Sequence, residues 1–485
     1  MALQTTTAQG LQTGDRFRES LDDGREVWVD GKRIANVAEH AAFKPAVDLF
    51  ADLFDQRLAD PEALAASSFR SPVTGNPVSR SYALPRTAED LRAKFRASEW
   101  WMRQSLGQLG RSPDFMANVV VGLWDYHQEL EGNRAGFGEN AKNYHAFAME
   151  QDLVLTHALG DPQIDRSASP LDDPDLALRV VEENDDGIVI RGAKQLATLA
   201  PFSNEVLVYL NGVTAQRGAE QFVLWFALPL NAPGLTILCR EPLARPDRAN
   251  ILAASYDEQD AMLFFDDVLV PWDRVFLLGD GLLAAKGLTR INAWSIQSTH
   301  IRFHERLRLF VSVAAQVAHA IGVDSFRGIQ EDLGEIISYA ETLRLGIAGA
   351  EALATTTPTG LLAPTASQGL GFWSAEISGR VAEIVRRIGA SGFIMQPSEG
   401  DLASPELRPA LDRYMRGHDI GVAEKSRLFR LATELVNDGF GLRQEMYEYL
   451  HRGDPGAGRT RLLRAYDRSD VDAVVRDLIS RPSSH

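Results

Sequence analysis

His300 and His304 are four residues apart, so on a helix they share one face at the separation a metal-binding pair uses. Arg302, Arg306 and Arg308 surround them and no third ligand is apparent, which argues against a cation. A single histidine acting on protons or stabilising an anion suits that surrounding better, with a plain helix-surface histidine as the equal alternative. His157 follows Leu153-Val-Leu155-Thr156 and precedes Gly160-Asp-Pro-Gln-Ile-Asp165-Arg166, where helical sequence gives way to a polar turn and then to strands. Cofactor pockets favour such boundaries, which makes this histidine a candidate, although spacing alone leans to a structural role. Arg111 lies in Gly110-Arg-Ser-Pro-Asp-Phe115, where a Gly and a Pro interrupt helical sequence and start a new helix. A guanidinium beside the positive end of a helix suits an anionic oxygen. The alternative there is an arginine in solvent.

Other chemistries lack their signals. There is no Walker loop, no His-Glu-x-x-His and no Gly-x-Ser-x-Gly elbow. Gly136-Phe-Gly138-Glu-Asn-Ala141 approaches the dinucleotide fingerprint but lies between helical segments with no preceding strand, and is read as a chance match. Cys239 is the only cysteine, which excludes an intrachain disulfide and a Cys-rich metal site. No metal is expected. The formal charge of −16 opposes a nucleic-acid partner. No apolar run approaches the ~18 residues of a membrane helix, so no membrane partner is expected. The N-terminus has no charged region followed by an apolar one, and the expected location is cytoplasmic.

The elements that must position these residues fall into three stretches. At ~100–200 residues per domain, 485 residues suggest about three domains. Residues 1–150 read as an N-terminal α domain: Leu49, Phe50, Leu53, Phe54 and Leu58 recur at helical steps, and Thr87-Ala-Glu-Asp-Leu91 reads as an N-cap and an acidic first turn. Arg25 to Ile34 alternates around Asp30-Gly31 and predicts a small hairpin packed as an appendage. Residues 151–280 carry short Val-, Ile-, Leu- and Phe-rich runs punctuated by turns, predicting an antiparallel barrel or sandwich. From 281 to 485, segments at 296–322, 326–355, 366–390 and 407–447 predict a four-helix bundle, followed by a Gly/Arg/Asp-rich tail. The broad apolar faces of such a bundle often support oligomerisation.

Glu19-Ser-Leu-Asp-Asp-Gly-Arg-Glu26, Gly110-Arg-Ser-Pro-Asp114, Leu155-Thr-His-Ala-Leu159 with Pro162-Gln-Ile-Asp-Arg166, Gly192-Ala-Lys-Gln-Leu-Ala-Thr198, Tyr256-Asp-Glu-Gln-Asp260, Asp267-Val-Leu-Val-Pro-Trp272, Phe326-Arg-Gly-Ile-Gln330 and Phe440-Gly-Leu-Arg-Gln-Glu-Met-Tyr-Glu448 run in order along nearly the whole chain. Together they resemble the oxygenase component of the 4-hydroxyphenylacetate 3-monooxygenase family, which includes chlorophenol monooxygenases and carrier-bound tyrosine hydroxylases. The resemblance implies an α+β, acyl-CoA-dehydrogenase-like fold: N-terminal helical domain, middle antiparallel β-barrel, C-terminal four-helix bundle, assembled as a homotetramer. It implies FAD, supplied as FADH2 by a separate NAD(P)H:flavin reductase, and O2, with a flavin C4a-hydroperoxide oxygenating a small phenolic or related aromatic substrate, free or carrier-tethered. Such chemistry needs a dry pocket and a stabilised phenolate.

By resemblance Arg111 and His157 hold the phenolic oxygen. His157, Gln163, Ile164, Asp165, Arg166, Thr198, Gly441, Leu442, Arg443 and Gln444 match flavin-contacting stretches. Phe115 stands in the substrate-binding position where the 4-hydroxyphenylacetate hydroxylases carry a Tyr, so one hydrogen-bond donor is missing, and His304 lies where the halophenol branch places a base that could replace it. Two further readings remain open at this point: an acyl-CoA-dehydrogenase-like flavoprotein and a non-enzymatic flavin-binding scaffold. The related 4-hydroxybutyryl-CoA dehydratases need several cysteines for an iron–sulfur cluster, which one cysteine excludes.

Overall fold

Helix starts and stops written in the N-terminal sequence place the first site segment. The computed structural model describes residues 10–209, 218–245, 249–451 and 453–481. Its chain opens with α1 (Gly14–Ser20), the hairpin strands β1 (Glu26–Val29) and β2 (Lys32–Ile34), α2 (Lys44–Ala59), α3 (Pro61–Ser67) and the short pair β3 (Ser68–Arg70) and β4 (Pro77–Ser79). Next come α4 (Ala88–Gln104), α5 (Pro113–Asp125), α6 (His127–Asn133) and α7 (Phe137–Gln151). A capping box starts α4: the Thr87 hydroxyl accepts from the Asp90 N–H and the Asp90 carboxylate accepts from the Thr87 N–H. Pro113, in the first turn where an N–H is dispensable, starts α5, whose residues are nearly all buried. The Gly136-Phe-Gly138 string joins α6 to α7, so it has no strand–turn–helix context.

Ten strands among the described residues form the two large sheets. β5 (Leu155–His157), β6 (Arg179–Glu183), β7 (Gly187–Lys194), β8 (Glu205–Val208), β9 (Leu224–Pro229), β10 (Leu235–Cys239), β11 (Ala261–Pro271) and β12 (Val275–Leu278) follow the helices, with the one-turn α8 (Ala253–Tyr256) before β11. One sheet has the order β2-β1-β10-β11-β7-β6, the other β12-β9-β8-β5. This corrects two expectations. The described strands make two open sheets instead of a closed barrel, and the pairings of β1 with β10 and of β5 with β8 are parallel. The small hairpin is no appendage, because β1 completes the larger sheet and buries Val27 and Val29. One apolar core takes in Phe50, Val120, Leu155, Phe202, Trp225 and Ile237, tying the N-terminal helices to both sheets.

The C-terminal region begins with α9 (Gly281–Ile291), α10 (Ala293–Ala320), α11 (Arg327–Ala352) and α12 (Gln368–Gly389). Short α13 (Glu399–Ala403) and α14 (Arg408–Tyr414) precede α15 (Val422–Val436) and α16 (Gly439–Leu450), and α17 (Pro455–Ala465) and α18 (Ser469–Ser480) end the chain. α10, α11, α12 and α15 form the bundle around Leu307, Phe310, Leu343, Val385 and Phe429. The fourth expected segment is therefore three helices. Asp419 has φ +58°, and the Asp438 carboxylate accepts from the Phe440 and Gly441 N–H groups to start α16 afresh. After that break α16 packs against α12 and α15, and Arg443 reaches Asp260, the residue before β11.

Candidate active site

Arg111, Phe115 and His157, drawn from a loop, a helix and a strand, meet in the interior. The Phe115 ring lies 4.6 Å from the Arg111 guanidinium carbon and meets the His157 imidazole edge-on at 5.7 Å. Pro113 sets Phe115 in the first turn of α5, and the parallel pairing of β5 with β8 sets His157. All three are buried. The Arg111 N–H donates to Glu258 Oε1 at 2.6 Å, and its Nη1 donates to the Gly110 carbonyl and to Tyr447 Oη at 3.0 and 2.7 Å. Its Nε is buried with no partner, and no carboxylate pairs with the guanidinium among the described residues. A buried cation with an unsatisfied donor is costly unless a ligand answers it.

Burial, reinforced by the Arg111 charge, drives the His157 pKa well below the ordinary histidine value. The imidazole is therefore neutral at physiological pH. Its Nδ1 lies 3.1 Å from the hydroxyl of buried Tyr209.

A second cluster joins the implied flavin residues. Thr198 Oγ1 donates to Asp260 Oδ1 at 2.6 Å, and Arg443 donates to both Asp260 oxygens at 2.9 and 2.6 Å and to Glu258 Oε2 at 3.3 Å. Burial alone would raise the Asp260 carboxyl, but Arg443, Arg240 and Thr198 hold it far below the usual carboxylate range. Thr198 is flanked by Leu196 and Leu199 with φ of 59° and 74°, and Gln259 opposite has φ 52°. Backbone strain on non-glycine residues at one place is characteristic of ligand sites.

Gln163, Ile164, Asp165 and Arg166 form an exposed loop, tied to the Thr198 segment through the Gly160–Gln195 bridge. Asp165 is spent in a turn, accepting from the Ser167 N–H and hydroxyl. Ile164 and Leu196 are 60% and 62% exposed, apolar surface of the kind a flavin ring covers. Gly441 fits against the Leu435 backbone, where a Cβ would come within 2.7 Å of its carbonyl. Leu442 points outward, 51% exposed. Gln444 is wholly buried and donates to the Gln108 carbonyl at 2.9 Å, so it braces the loop before Arg111.

His304 does not join Arg111 and His157 within the chain. Its Nδ1 faces Glu305 at 3.7 Å, and Glu99 and Glu341 lie near it. Two residues on a helix from Arg302 is more than half a turn around the axis, which turns His304 away from Gly107 and α16. Among the described contacts His304 meets none of Arg111, Phe115 and His157. His300 Nδ1 instead meets the Ser367 hydroxyl at 3.2 Å.

Sequence reasoning missed Tyr447, Glu258, Tyr209 and Asn292 as site residues. Tyr447 and Glu258 belong to two of the strings that carried the resemblance and could have been found there. Tyr447 closes over Gly110, where a Cβ would come within 2.6 Å of its ring.

Helices, two sheets and a bundle in this order are those of an acyl-CoA-dehydrogenase-like α+β protein. A 4-hydroxybutyryl-CoA dehydratase from N. maritimus has the same fold, with TM-score 0.86 at 20% identity over 98% of this chain and 96% of that one. The 4-hydroxyphenylacetate 3-hydroxylase N-terminal family matches residues 13–277 and its C-terminal family residues 285–480. The 4-hydroxyphenylacetate 3-monooxygenase oxygenase component of Thermus thermophilus is 35% identical, covering 96% of each chain. The oxygenase component of a 4-nitrophenol 2-monooxygenase from Rhodococcus sp. is 31% identical over 96% of this chain and 90% of that one. A crystal structure of a 4-hydroxyphenylacetate 3-monooxygenase oxygenase component complexed with FAD superposes with TM-score 0.91 at 33% identity, covering 97% and 98% of the two chains. The chain belongs to the 4-hydroxyphenylacetate 3-hydroxylase family.

Proposed function

We propose that this chain is the oxygenase component of a two-component monooxygenase that uses reduced FAD and O2 to hydroxylate the ring of a small phenol, free or carrier-bound. The observation that carries the reading is the buried Arg111 guanidinium, with its unanswered Nε, beside neutral His157 across the Phe115 ring. A phenolic oxygen supplies what both lack: an acceptor for Arg111 and a proton for the imidazole. Phe115 adds an apolar wall that keeps water from that oxygen, so the guanidinium acts in a low dielectric where its charge counts most.

The residues present fit FAD. The exposed Leu196 beside Thr198, with the exposed apolar Ile164 nearby, provides a surface for the ring system, and Arg166 makes no ion pair among the described residues and is available to a phosphate. When bound, the reduced cofactor supplies two electrons to O2, so that one oxygen atom enters the ring and the other leaves as water. Asp260 and Glu258 link the two clusters: Arg443 binds both, and Glu258 also holds the Arg111 N–H. The flavin and phenol ends are thereby set relative to each other.

No nicotinamide fingerprint is present, so a separate NAD(P)H:flavin reductase delivers the reduced cofactor. Purified chain with NADH, FAD and O2 is expected to be inert, and adding a flavin reductase with a panel of phenols is expected to yield oxygenated product. Rapid NADH oxidation by the chain alone, or no product from any phenol, would overturn the reading.

A further inference from the structure

A run of one-way hydrogen bonds begins at a backbone carbonyl and ends at His157. Asn292 links α9 to α10, and its Nδ2 lies 2.9 Å from the Leu288 carbonyl oxygen. A carbonyl only accepts, so the amide nitrogen must face Leu288 and Oδ1 must face the other way. Oδ1 meets the Tyr209 hydroxyl at 3.0 Å and the Ser295 hydroxyl at 3.2 Å. Tyr209 therefore spends its one proton on Asn292, and its oxygen can only accept from the next partner, His157 Nδ1 at 3.1 Å. We infer that Tyr209 and Asn292 are positioning residues that hold His157 in the Nδ1–H tautomer, leaving Nε2 bare to accept the proton of the phenol.

Two further observations agree. Burial pushes the Tyr209 phenol above its ordinary value, so it keeps the proton the chain requires. The Tyr209 ring is fixed edge-on against Trp225 at 6.2 Å and tilted against His157 at 5.7 Å, so the hydroxyl oxygen keeps its place between Asn292 and His157 and only its proton can turn. The charged group facing His157 is Arg111, from the loop before α5, and the titratable group is Tyr209 itself. With Nε2 bare and a guanidinium alongside, the pocket takes a neutral phenol, whose proton moves to or is shared with Nε2 while the oxygen turns to Arg111. The proton leaves oxygen and arrives on nitrogen, and Nδ1–H stays on Tyr209 throughout. The other tautomer would present Nε2–H and take a phenolate without its proton. The role of Nε2 toward a phenol rests on the proposed function; the tautomer does not.

The tautomer is read directly from the ring-nitrogen resonances of isotope-labelled histidine in the ligand-free chain, with the His157 signals assigned by their loss in His157→Gln. Expected is a neutral ring protonated at Nδ1 in the wild-type protein, and a shift toward Nε2 protonation in Tyr209→Phe. Asn292→Ala, which frees the Tyr209 hydroxyl to turn and donate to Nδ1, is expected to shift it in the same direction and serves if Tyr209→Phe does not fold. Wild-type protein protonated at Nε2, or an unchanged tautomer in the folded variants, would overturn the inference. A second measurement uses 4-nitrophenol, alone and without flavin. Wild-type affinity is expected to be flat with pH while the free ligand is neutral and to fall about tenfold per pH unit once it ionises, because the complex keeps the proton. In Tyr209→Phe affinity should rise with pH over the first range instead. A purely structural loss would weaken binding without changing either slope, and that result would overturn the positioning role. An Nδ1–H tautomer together with 4-nitrophenol binding indifferent to His157→Gln would instead sink the phenol-site reading and leave the tautomer standing.

Discussion

Arg111 and His157 divide the work on one oxygen, and each has a distinct failure when removed. Arg111→Ala deletes the charge that stabilises the anion, and His157→Ala deletes the proton acceptor, while neither touches Asp260, Thr198 or Arg443. Both variants are expected to go on consuming reduced flavin and O2 but to release H2O2, with product formation down ~10²–10³-fold, the usual effect of losing one such contact at about 2.7–4 kcal/mol. Comparing product with NADH consumed in the presence of a reductase checks this, and full coupling in both variants would return them to a structural role. Phe115→Tyr restores the donor found in the 4-hydroxyphenylacetate hydroxylases, a gain of about 0.5–1.5 kcal/mol at most. It should raise turnover of 4-hydroxyphenylacetate, which is expected to be a poor substrate of the wild-type chain, whereas His304→Ala should leave coupling unchanged because His304 faces Glu305. A loss of coupling in His304→Ala would show that His304 reaches the site after all. Residue types and strings pointed to Arg111, Phe115 and His157 before any fold was known. The sharing of Tyr447 between Arg111 and Gly110 could not be read, since spacing says nothing of contacts 336 residues apart.

Elements differ in how openly the sequence declares them. Helical periodicity and Pro or Thr starts located α2, α4 and α5, whereas alternation located strands without saying which strands pair. β1, the first strand in the chain, pairs with β10 some two hundred residues later, and only tertiary packing decides that. The break before α16 was legible in Asn437-Asp438-Gly439 but was masked by continuous apolar periodicity on either side. α15 also fixes α8, and this was unreadable: the Glu434 carboxylate accepts from the Ile251, Leu252 and Ala253 N–H groups at 2.7, 2.6 and 2.8 Å. Glu434→Ala leaves the buried Leu252 and Ala253 donors without partners at ~1–3 kcal/mol each, so a loss of at least about 2 kcal/mol is expected by urea unfolding. Glu434→Gln, which keeps one acceptor oxygen, should lose less. Because α8 leads directly into Glu258, the alanine variant should also weaken coupling; stability unchanged within about 0.5 kcal/mol would refute the anchoring role.

At the scale of the whole molecule, buried bases and buried acids respond to pH in separate windows. His145 and His157 are both neutral in the folded protein, His145 lowered to about 4 by burial against an ordinary 6.5, and His157 well below that ordinary value. Below about pH 6.5 the unfolded chain takes up these protons and the folded chain does not, so stability is fully present above that pH and falls as pH drops toward 4. Each histidine contributes a slope of up to about 1.4 kcal/mol per pH unit. Asp260 is shifted in the same direction, downward, but its window lies lower: its stabilisation is present above the ordinary carboxylate value and is lost only as pH falls below it, outside the histidine window. The composition, with its net charge of −16, gives no hint of this, because ten histidines look alike until burial separates them. Urea midpoints measured from pH 7 to about pH 4.5 should therefore fall steadily. His145 Nε2 bonds the Tyr82 carbonyl at 2.8 Å and lies outside the site, so His145→Gln can keep a donor there without a titrating group. That variant should flatten the slope by roughly one histidine's share while leaving the His157 share in place. A wild-type midpoint independent of pH over this range, or a slope unchanged in His145→Gln, would mean that the buried imidazoles gain their protons without unfolding.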